Sequence, residues 1–386
     1  MDLQNIYVSV KEPKLHGRYI NNDHITPLLN SLKNTFEVST EGYSVNNEPI
    51  YKIVAGKGSV KVFIWSQMHG NESTTTKAIF DFLNFLVSGS ATAQAWLQHF
   101  TFYILPILNP DGARLYTREN ANRIDLNRDS LQLTQPESQL LRAVFNQVKP
   151  DYCFNMHDQR TIFGVGEGKP LPATVSFLAP SYNEARDINE CRQVAINVIA
   201  AMNDELQKHI PGQVGRFDDS FNINCIGDMF QSLGVPTVLF EAGHYPDDYE
   251  REETRKMIFF ALFSGFLAIY ENVIAVNRNN DYFNIPQNKN VFYDIMYKDI
   301  KINYENKEKI TNFASQYREV LIDKSVIFRA FISEIGNLDD FHAHAEIDAF
   351  GEEFSTEEGA KSPKIGDKAT FFIGKNRKIV NGLEIF

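Results

Sequence analysis

The sequence predicts an α/β protein with a largely buried sheet, followed by a smaller β-rich part. Three observations predict it. Short apolar runs alternate with longer helical segments over the first two-thirds of the chain. The polar residues that stand out fall at or just beyond the ends of those apolar runs. Periodicity is lost around Asn277-Arg278-Asn279-Asn280-Asp281, and short alternating runs follow it.

Taken in order, Val60 to Ser66 reads as a strand and Glu72 to Val87 as the helix after it. Phe100 to Leu108 is a second strand, ending in the turn Asn109-Pro110-Asp111-Gly112. Pro136 to Val148 carries Leu140, Leu141, Val144, Phe145 and Val148 at helical spacing. Tyr152 to Met156, Ala173 to Leu178 and Pro236 to Phe240 read as strands. Asn183 to Lys208 and Tyr249 to Val273 read as long helices. These elements form a main domain over residues 1–275. A linker is expected over 276–292, and a small β-rich domain over 293–386, where Lys301–Tyr304, Ser325–Phe328 and Ala369–Phe372 alternate at strand period.

Composition narrows the class of partner. The chain is 43% hydrophobic and 23% charged, with formal net charge -11. That balance argues against nucleic acid, whose phosphates need a basic surface. The most apolar stretch, Met257 to Tyr270, is shorter than the roughly 20 residues a bilayer demands, so no membrane partner is expected. Cys153, Cys191 and Cys225 are odd in number and widely spaced, which points to reduced core thiols. Met1 to Asn5 has neither a basic nor an apolar leader pattern, and the expected location is cytoplasmic.

The residues that carry chemistry are His69 and Glu72 in Gln67-Met68-His69-Gly70-Asn71-Glu72, and His157 in Phe154-Asn155-Met156-His157-Asp158. Two imidazoles and a carboxylate make a three-ligand zinc site with one coordination position open, which lets the metal hold and activate water. A lone histidine is usually a hydrogen-bonded loop residue, and HxxE spacing alone is common. The company of a third ligand on a distant apolar strand raises the reading above that background. Ligands of open α/β sheets gather at the strand carboxyl ends, where these residues fall.

Between them lies Tyr116-Thr117-Arg118-Glu119-Asn120-Ala121-Asn122-Arg123-Ile124-Asp125-Leu126-Asn127-Arg128. With this segment the chain resembles the zinc carboxypeptidase (metallocarboxypeptidase) family. HxxE, the Asn-Pro-Asp-Gly turn, Arg-x-Asn running into Asp-Leu-Asn-Arg, a strand-end histidine and a strand-end glutamate occur in order over about residues 60 to 245. The two-histidine, one-glutamate set is the one known for carboxypeptidase A. The resemblance implies a mixed, mostly parallel twisted sheet of eight strands flanked by helices, and one Zn2+ per chain. It implies that His69, Glu72 and His157 bind the metal, and that Asp125 accepts a hydrogen bond from a ligand histidine. Arg118 would stabilise the oxyanion, and Glu241 in Val238-Leu239-Phe240-Glu241-Ala242-Gly243-His244 would be the general base. Asn127 and Arg128 would grip the free carboxylate of a peptide or small amide substrate. The implied activity is a metallopeptidase removing a C-terminal residue.

Two features depart from the family. Arg123 stands where glycine is usual. No tyrosine lies at the expected distance upstream of Glu241; Phe217 and Phe221 are there instead. A pocket residue is expected shortly before the general base, and Ile226 and Asp228 point to opposite substrates, apolar or basic. The nearest rival is an N-acyl amino acid deacylase of the aspartoacylase/succinylglutamate desuccinylase type, favoured by the β-rich appendage. A binding module that has lost catalysis is a further rival. The glycine-rich run Gly164 to Pro170 reads as a loop without phosphate-binding spacing. His244 reads as a solvated loop histidine, and His342 and His344 as exposed residues of one strand face.

Overall fold

The computed structural model describes residues 2–385. The chain divides into two compact units. One comprises the residues up to Gln159 together with Ala173–Asn288; the other comprises Arg160–Pro172 with the residues from Lys289 onward.

The first unit is built on an eight-stranded sheet. Its strands are β1 (Glu37–Tyr43), β2 (Pro49–Gly56), β3 (Val60–Ser66), β4 (Phe100–Leu105) and β5 (Tyr152–Asp158). After β6 (Phe163–Val165) and β7 (Leu171–Pro172), which belong to the second unit, come β8 (Val175–Leu178), β9 (Val214–Arg216) and β10 (Thr237–Ala242). The spatial order is β1-β2-β4-β3-β5-β10-β8-β9. The centre, β4-β3-β5-β10, is parallel, and β1, β2 and β8 pair antiparallel to their inner neighbours. A parallel centre must be buried on both sides, and two apolar clusters do this. On one face Val62, Ile64, Phe154 and Met156 pack under α3 (Thr74–Val87), α7 (Glu190–Leu206) and α9 (Glu252–Tyr270). On the other, Phe63, Trp65 and Cys153 pack against Leu141 and Phe145 of α6 (Pro136–Val148) and against Ile226 and Phe230 of α8 (Ile226–Ser232).

Several boundaries differ from the sequence reading, each for a local reason. The second predicted strand stops at Leu105, because Pro106 cannot donate to the ladder. The helix predicted from Asn183 begins at Glu190, where the Asn189 side chain accepts from Arg192 N. The helix predicted from Glu72 begins at Thr74. Its first N–H groups are met by Asp158, eighty-four residues away, so the start has no local signature. His157 and Glu241 lie inside β5 and β10 rather than beyond them. The segment expected to be a linker includes α10 (Asn279–Phe283). There Tyr282 is fully buried, and its hydroxyl accepts from Ala179 N at 3.1 Å.

In the second unit β6 pairs with β7 and with β11 (Lys289–Asn290), so strands flank the glycine-rich loop. Strands β12 (Phe292–Tyr304), β13 (Lys307–Ile322), β14 (Ser325–Gly336) and β15 (His342–Asp348) form a four-stranded sheet in the order β14-β13-β12-β15. Its core centres on Ile295, Tyr297, Phe313 and Phe371. His344 is half-buried rather than exposed: it stacks on Phe292 at 4.8 Å, and its Nε2 lies 2.8 Å from Thr161 O. His342 is likewise half-buried. Among the described residues no helix is long and apolar enough to cross a membrane.

Candidate metal centre

The centre is assembled where β3, β5 and β10 end side by side. Past Ser66 the chain turns sharply, with Gln67 at φ +43°. The Gln67 side chain donates to Ile20 O at 2.9 Å and to Gly70 O at 2.8 Å. Gly70 is pressed against the first turn of α5 (Pro110–Leu115): a Cβ there would lie 1.9 Å from the Gly112 carbonyl carbon. Glycine alone permits that approach. Asn109 caps α5 by accepting from Gly112 N (2.8 Å) and donates to Met68 O (3.2 Å). The Asn-Pro-Asp-Gly turn therefore braces the loop that presents His69 and Glu72.

These two residues and His157 converge. His69 Nδ1 lies 2.8 Å from Glu72 Oε1, His157 Nδ1 lies 2.9 Å from Glu72 Oε2, and the two Nδ1 atoms are 3.1 Å apart. All three residues are buried. Tetrahedral coordination at about 2.0–2.2 Å spaces donor atoms about 3.3–3.6 Å apart, so the donor set fits a zinc-like cation in its chemistry, and its atoms lie a few tenths of an ångström closer together than such an ion would hold them. Two imidazole nitrogens this close repel unless a proton or a cation lies between them.

Asp125 sets the tautomer. Its Oδ1 lies 3.0 Å from His69 Nε2 and accepts from Asn127 N at 2.9 Å. That places the His69 proton on Nε2 and leaves Nδ1 as the ligand atom. Asp125 Oδ2 accepts from Arg118 Nε and Nη2, each at 3.1 Å, while Arg118 Nη1 donates to Glu72 Oε1 at 3.2 Å. The charges reinforce one another. Burial alone would raise the Glu72 and Asp125 carboxyls, but the histidines beside them hold both well below the usual range. Burial likewise opposes the charged form of His69, yet Glu72 and Asp125 keep its pKa above the ordinary value. Burial wins at His157, whose pKa is lowered.

Glu241 is the direct register partner of His157 in the β5–β10 pair. Burial, then Glu72 and Asp158, push its carboxyl well up, against the pull of Arg118 and Arg251. A buried carboxyl therefore sits beside the candidate ligands. Leu126–Arg128 form a single 3₁₀ turn capped by Asp125. Asn127 Oδ1 accepts from Ile226 N at 3.0 Å, so its oxygen is tied to α8. Arg128 is exposed, with Nη1 2.7 Å from Asn127 O and 3.2 Å from Cys225 Sγ. Arg123 adopts φ +60°, the left-handed conformation that accounts for a usual glycine there.

Sequence reasoning missed Asp158 and Arg251. Asp158 N donates to Glu72 Oε2 at 3.1 Å, and its carboxylate accepts from Thr74 N at 3.0 Å, so one residue joins the end of β5 to the Glu72 loop. Arg251 braces the same corner, donating to Ala242 O (2.6 Å) and Gln159 O (2.5 Å). Only the acid next to His157 could have hinted at this. His244, expected in solvent, is buried with its ring 4.7 Å from that of Tyr249. The reason is that its backbone is held, with His244 O accepting from Thr174 Oγ1.

The fold is a mixed α/β sheet, and His69, Glu72 and His157 form a donor set that could hold a metal ion. A family model described as zinc carboxypeptidase matches residues 23–160. That segment, which holds His69, Glu72, Asp125 and His157, is similar to the zinc carboxypeptidases. Carboxypeptidase 2 of Trichophyton rubrum is 29% identical over 107 residues, covering 27% of this chain and 20% of that protein. Carboxypeptidase SOL1 of Arabidopsis thaliana is 25% identical over 134 residues, covering 31% and 25%. The chain thus spans about a fifth to a quarter of the length of these curated relatives. Among solved structures, a metallo-carboxypeptidase from Burkholderia cenocepacia aligns with TM-score 0.55 and 16% identity, over 66% of this chain and 70% of that one. A metallo-carboxypeptidase from Pseudomonas aeruginosa, in complex with (2-guanidinoethylmercapto)succinic acid, aligns with TM-score 0.51 and 14% identity, over 65% and 69%. At such identity the likeness is one of fold. The deacylase alternative is not favoured by these matches. Glu241 lies outside the 23–160 segment, so its place in the site rests on geometry.

Proposed function

We propose that the protein is a zinc carboxypeptidase, cleaving the last amide bond of a peptide that ends in a free carboxylate. The observation that carries the reading is the meeting of His69 Nδ1, Glu72 and His157 Nδ1 within hydrogen-bond distance, with Glu241 beside them in register. His69, Glu72 and His157 would hold the cation, which when bound supplies Lewis acidity to the carbonyl and to the attacking water.

The chain's own groups do the rest. Arg118, paired with Asp125 and Glu72 and half exposed, offers a fixed positive charge to the carbonyl oxygen as it becomes an oxyanion. Glu241 takes a proton from water as the new C–O bond forms and returns it to the amide nitrogen as the C–N bond breaks. A carboxyl raised by burial is a stronger proton acceptor than a solvated one. The exposed Arg128 guanidinium binds the terminal carboxylate, and Asn127, with its oxygen committed to Ile226 N, keeps its amide N–H groups for the same anion.

The test is hydrolysis of N-blocked dipeptides by the zinc-loaded protein, with C-terminally amidated peptides as controls. Glu241→Gln should keep stoichiometric zinc and lose about 10²–10⁴-fold in kcat. Wild-type turnover by that variant, or equal cleavage of amidated peptides, would end the reading. Arg128→Ala should raise KM with little change in kcat.

A further inference from the structure

The rung of the β5–β10 ladder that pairs His157 with Glu241 is the last but one. Past Ala242 and Asp158 the strands part: Gln159 N still donates to Ala242 O at 2.8 Å, but Gly243 N turns away to Thr174 O. The ends of elements open most easily. The separation between a base on one strand and a ligand on the other is therefore least secure at this point, where the proposed reaction needs it most.

One side chain closes the end. Arg251 stands just before α9 in left-handed backbone, at φ +58°. A residue other than glycine keeps that conformation where its surroundings impose it. Arg251 is 1% exposed, and its guanidinium bridges the two strand ends, with Nη1 donating to Ala242 O at 2.6 Å and Nη2 to Gln159 O at 2.5 Å. The planar fork is rigid, so it holds the two carbonyls at a spacing of its own. Asp158 Oδ2, 3.6 Å from Nη1, balances the buried charge. One turn on, Thr254 Oγ1 donates to Gly243 O at 3.1 Å. The start of α9 thus grips the two carbonyls that follow Glu241.

We propose that Arg251 is a positioning residue for the hydrolysis: by joining the ends of β5 and β10 it fixes the Glu241 carboxylate relative to the donor on His157, and so sets the distance over which the proton is taken and returned. The inference rests on the carboxypeptidase reading and deepens it. A displacement of about 1 Å at a reacting group costs about 100-fold in rate. Binding of the substrate carboxylate by Arg128 would not feel that displacement. A merely structural role, by contrast, would lower stability and leave the turnover of folded molecules alone. Lysine at 251 keeps the charge, but its single ammonium lacks the planar fork that spans both carbonyls. Methionine keeps much of the bulk and loses both bonds.

The experiment measures kcat, KM and bound zinc for zinc-loaded Arg251→Lys and Arg251→Met on N-blocked dipeptides, at a temperature where circular dichroism shows each variant folded. Methionine should lower kcat about 100-fold and lysine about tenfold, with KM within about threefold of the wild type and zinc still stoichiometric. The control is Arg255→Lys. Arg255 is as deeply buried in the same helix, but it is bonded to Asp81, Glu12 O and Leu15 O, and this variant should lose stability at wild-type kcat. Wild-type kcat in folded Arg251→Lys overturns the proposal, as does zinc lost in step with activity, or an equal fall in kcat in Arg255→Lys. Should Arg251→Met fail to fold, Arg251→Lys decides alone. Should the wild-type protein cleave no peptide, the activity reading fails separately. The clamp is then judged by amide exchange: the Gln159 N–H, bonded to Ala242 O, should exchange about tenfold faster in Arg251→Lys, while amides at the centre of β5 keep their rates. An unchanged Gln159 rate overturns it.

Discussion

Replacing Asp125 by Asn tests the link between the metal centre and its surroundings. Asp125 makes four polar contacts. Oδ1 faces His69 Nε2 and Asn127 N, and Oδ2 accepts twice from Arg118. An asparagine oxygen can keep the first two, while its amide nitrogen would face the Arg118 donors and lose the other two. His69 therefore stays oriented but loses a negative neighbour. Partners of a metal ligand are worth about 10–100-fold in metal affinity. Because orientation survives, Asp125→Asn should fall at the lower end, about tenfold or about 1.4 kcal/mol. Asp125→Ala, which loses orientation as well, should approach 100-fold. A pH signature follows. Asp125 helps to raise the His69 pKa, so the variant also has a weaker proton competitor at that nitrogen. The loss in affinity should be larger at pH 8 than at pH 6. The assay is competition for zinc against a chromophoric chelator, with circular dichroism to show that the fold is intact. Affinity unchanged within threefold at pH 8, or a loss that grows as pH falls, would refute the argument.

Two further outcomes are expected. In the wild type, the raised His69 pKa means that the protonated form persists toward neutral pH. Zinc affinity should therefore be full above that pKa and decline as pH falls through it, which the same competition at pH 6, 7 and 8 reads directly; a pH-independent affinity would count against the arrangement. Away from the site, Arg255 and Asp81 form a fully buried two-bond pair (2.6 and 2.7 Å). Asp81→Ala leaves that guanidinium with Glu252, 3.1 Å away, as its remaining anion and should cost about 3 kcal/mol in urea unfolding; a loss below about 1 kcal/mol would mean that Glu252 alone suffices for Arg255.

What the sequence made legible is what repeats locally. Strand β3 is apolar apart from Lys61 and Ser66, and its ends were readable. His69, Glu72, Asp125 and His157 could be picked out because their chemistry is written in short motifs. What was not legible depends on residues far apart in the chain. The start of α3 is set by Asp158. The segment 160–172 leaves the first unit and returns, and its membership is decided by pairing with β11 rather than by composition. Whether Ile226 or Asp228 packs into the core turns on which face of α8 meets Trp65 and Phe145. The helical phase was visible in the sequence, but the position of the sheet was not.

The same distance dependence explains why the centre should exist before a cation arrives. His69 and Glu72 sit on a turn that no regular element supports. Three braces replace one: Gly70 against Gly112, Asn109 onto Met68 O, and the Asp158 N–H onto Glu72 Oε2. They come from α5 and from β5, and the β5 brace also fixes His157. Together they tie to one another the two segments that supply the three donors. Preorganisation of this kind removes ordering entropy from binding, whereas a site whose ligands had to be gathered by the ion would spend affinity on that work. The braces also explain why two imidazole nitrogens are held 3.1 Å apart even though the pair is mutually unfavourable. The stability that holds them together comes from the buried turn and strand contacts around them. The repulsion between them is then available to be relieved when a cation binds.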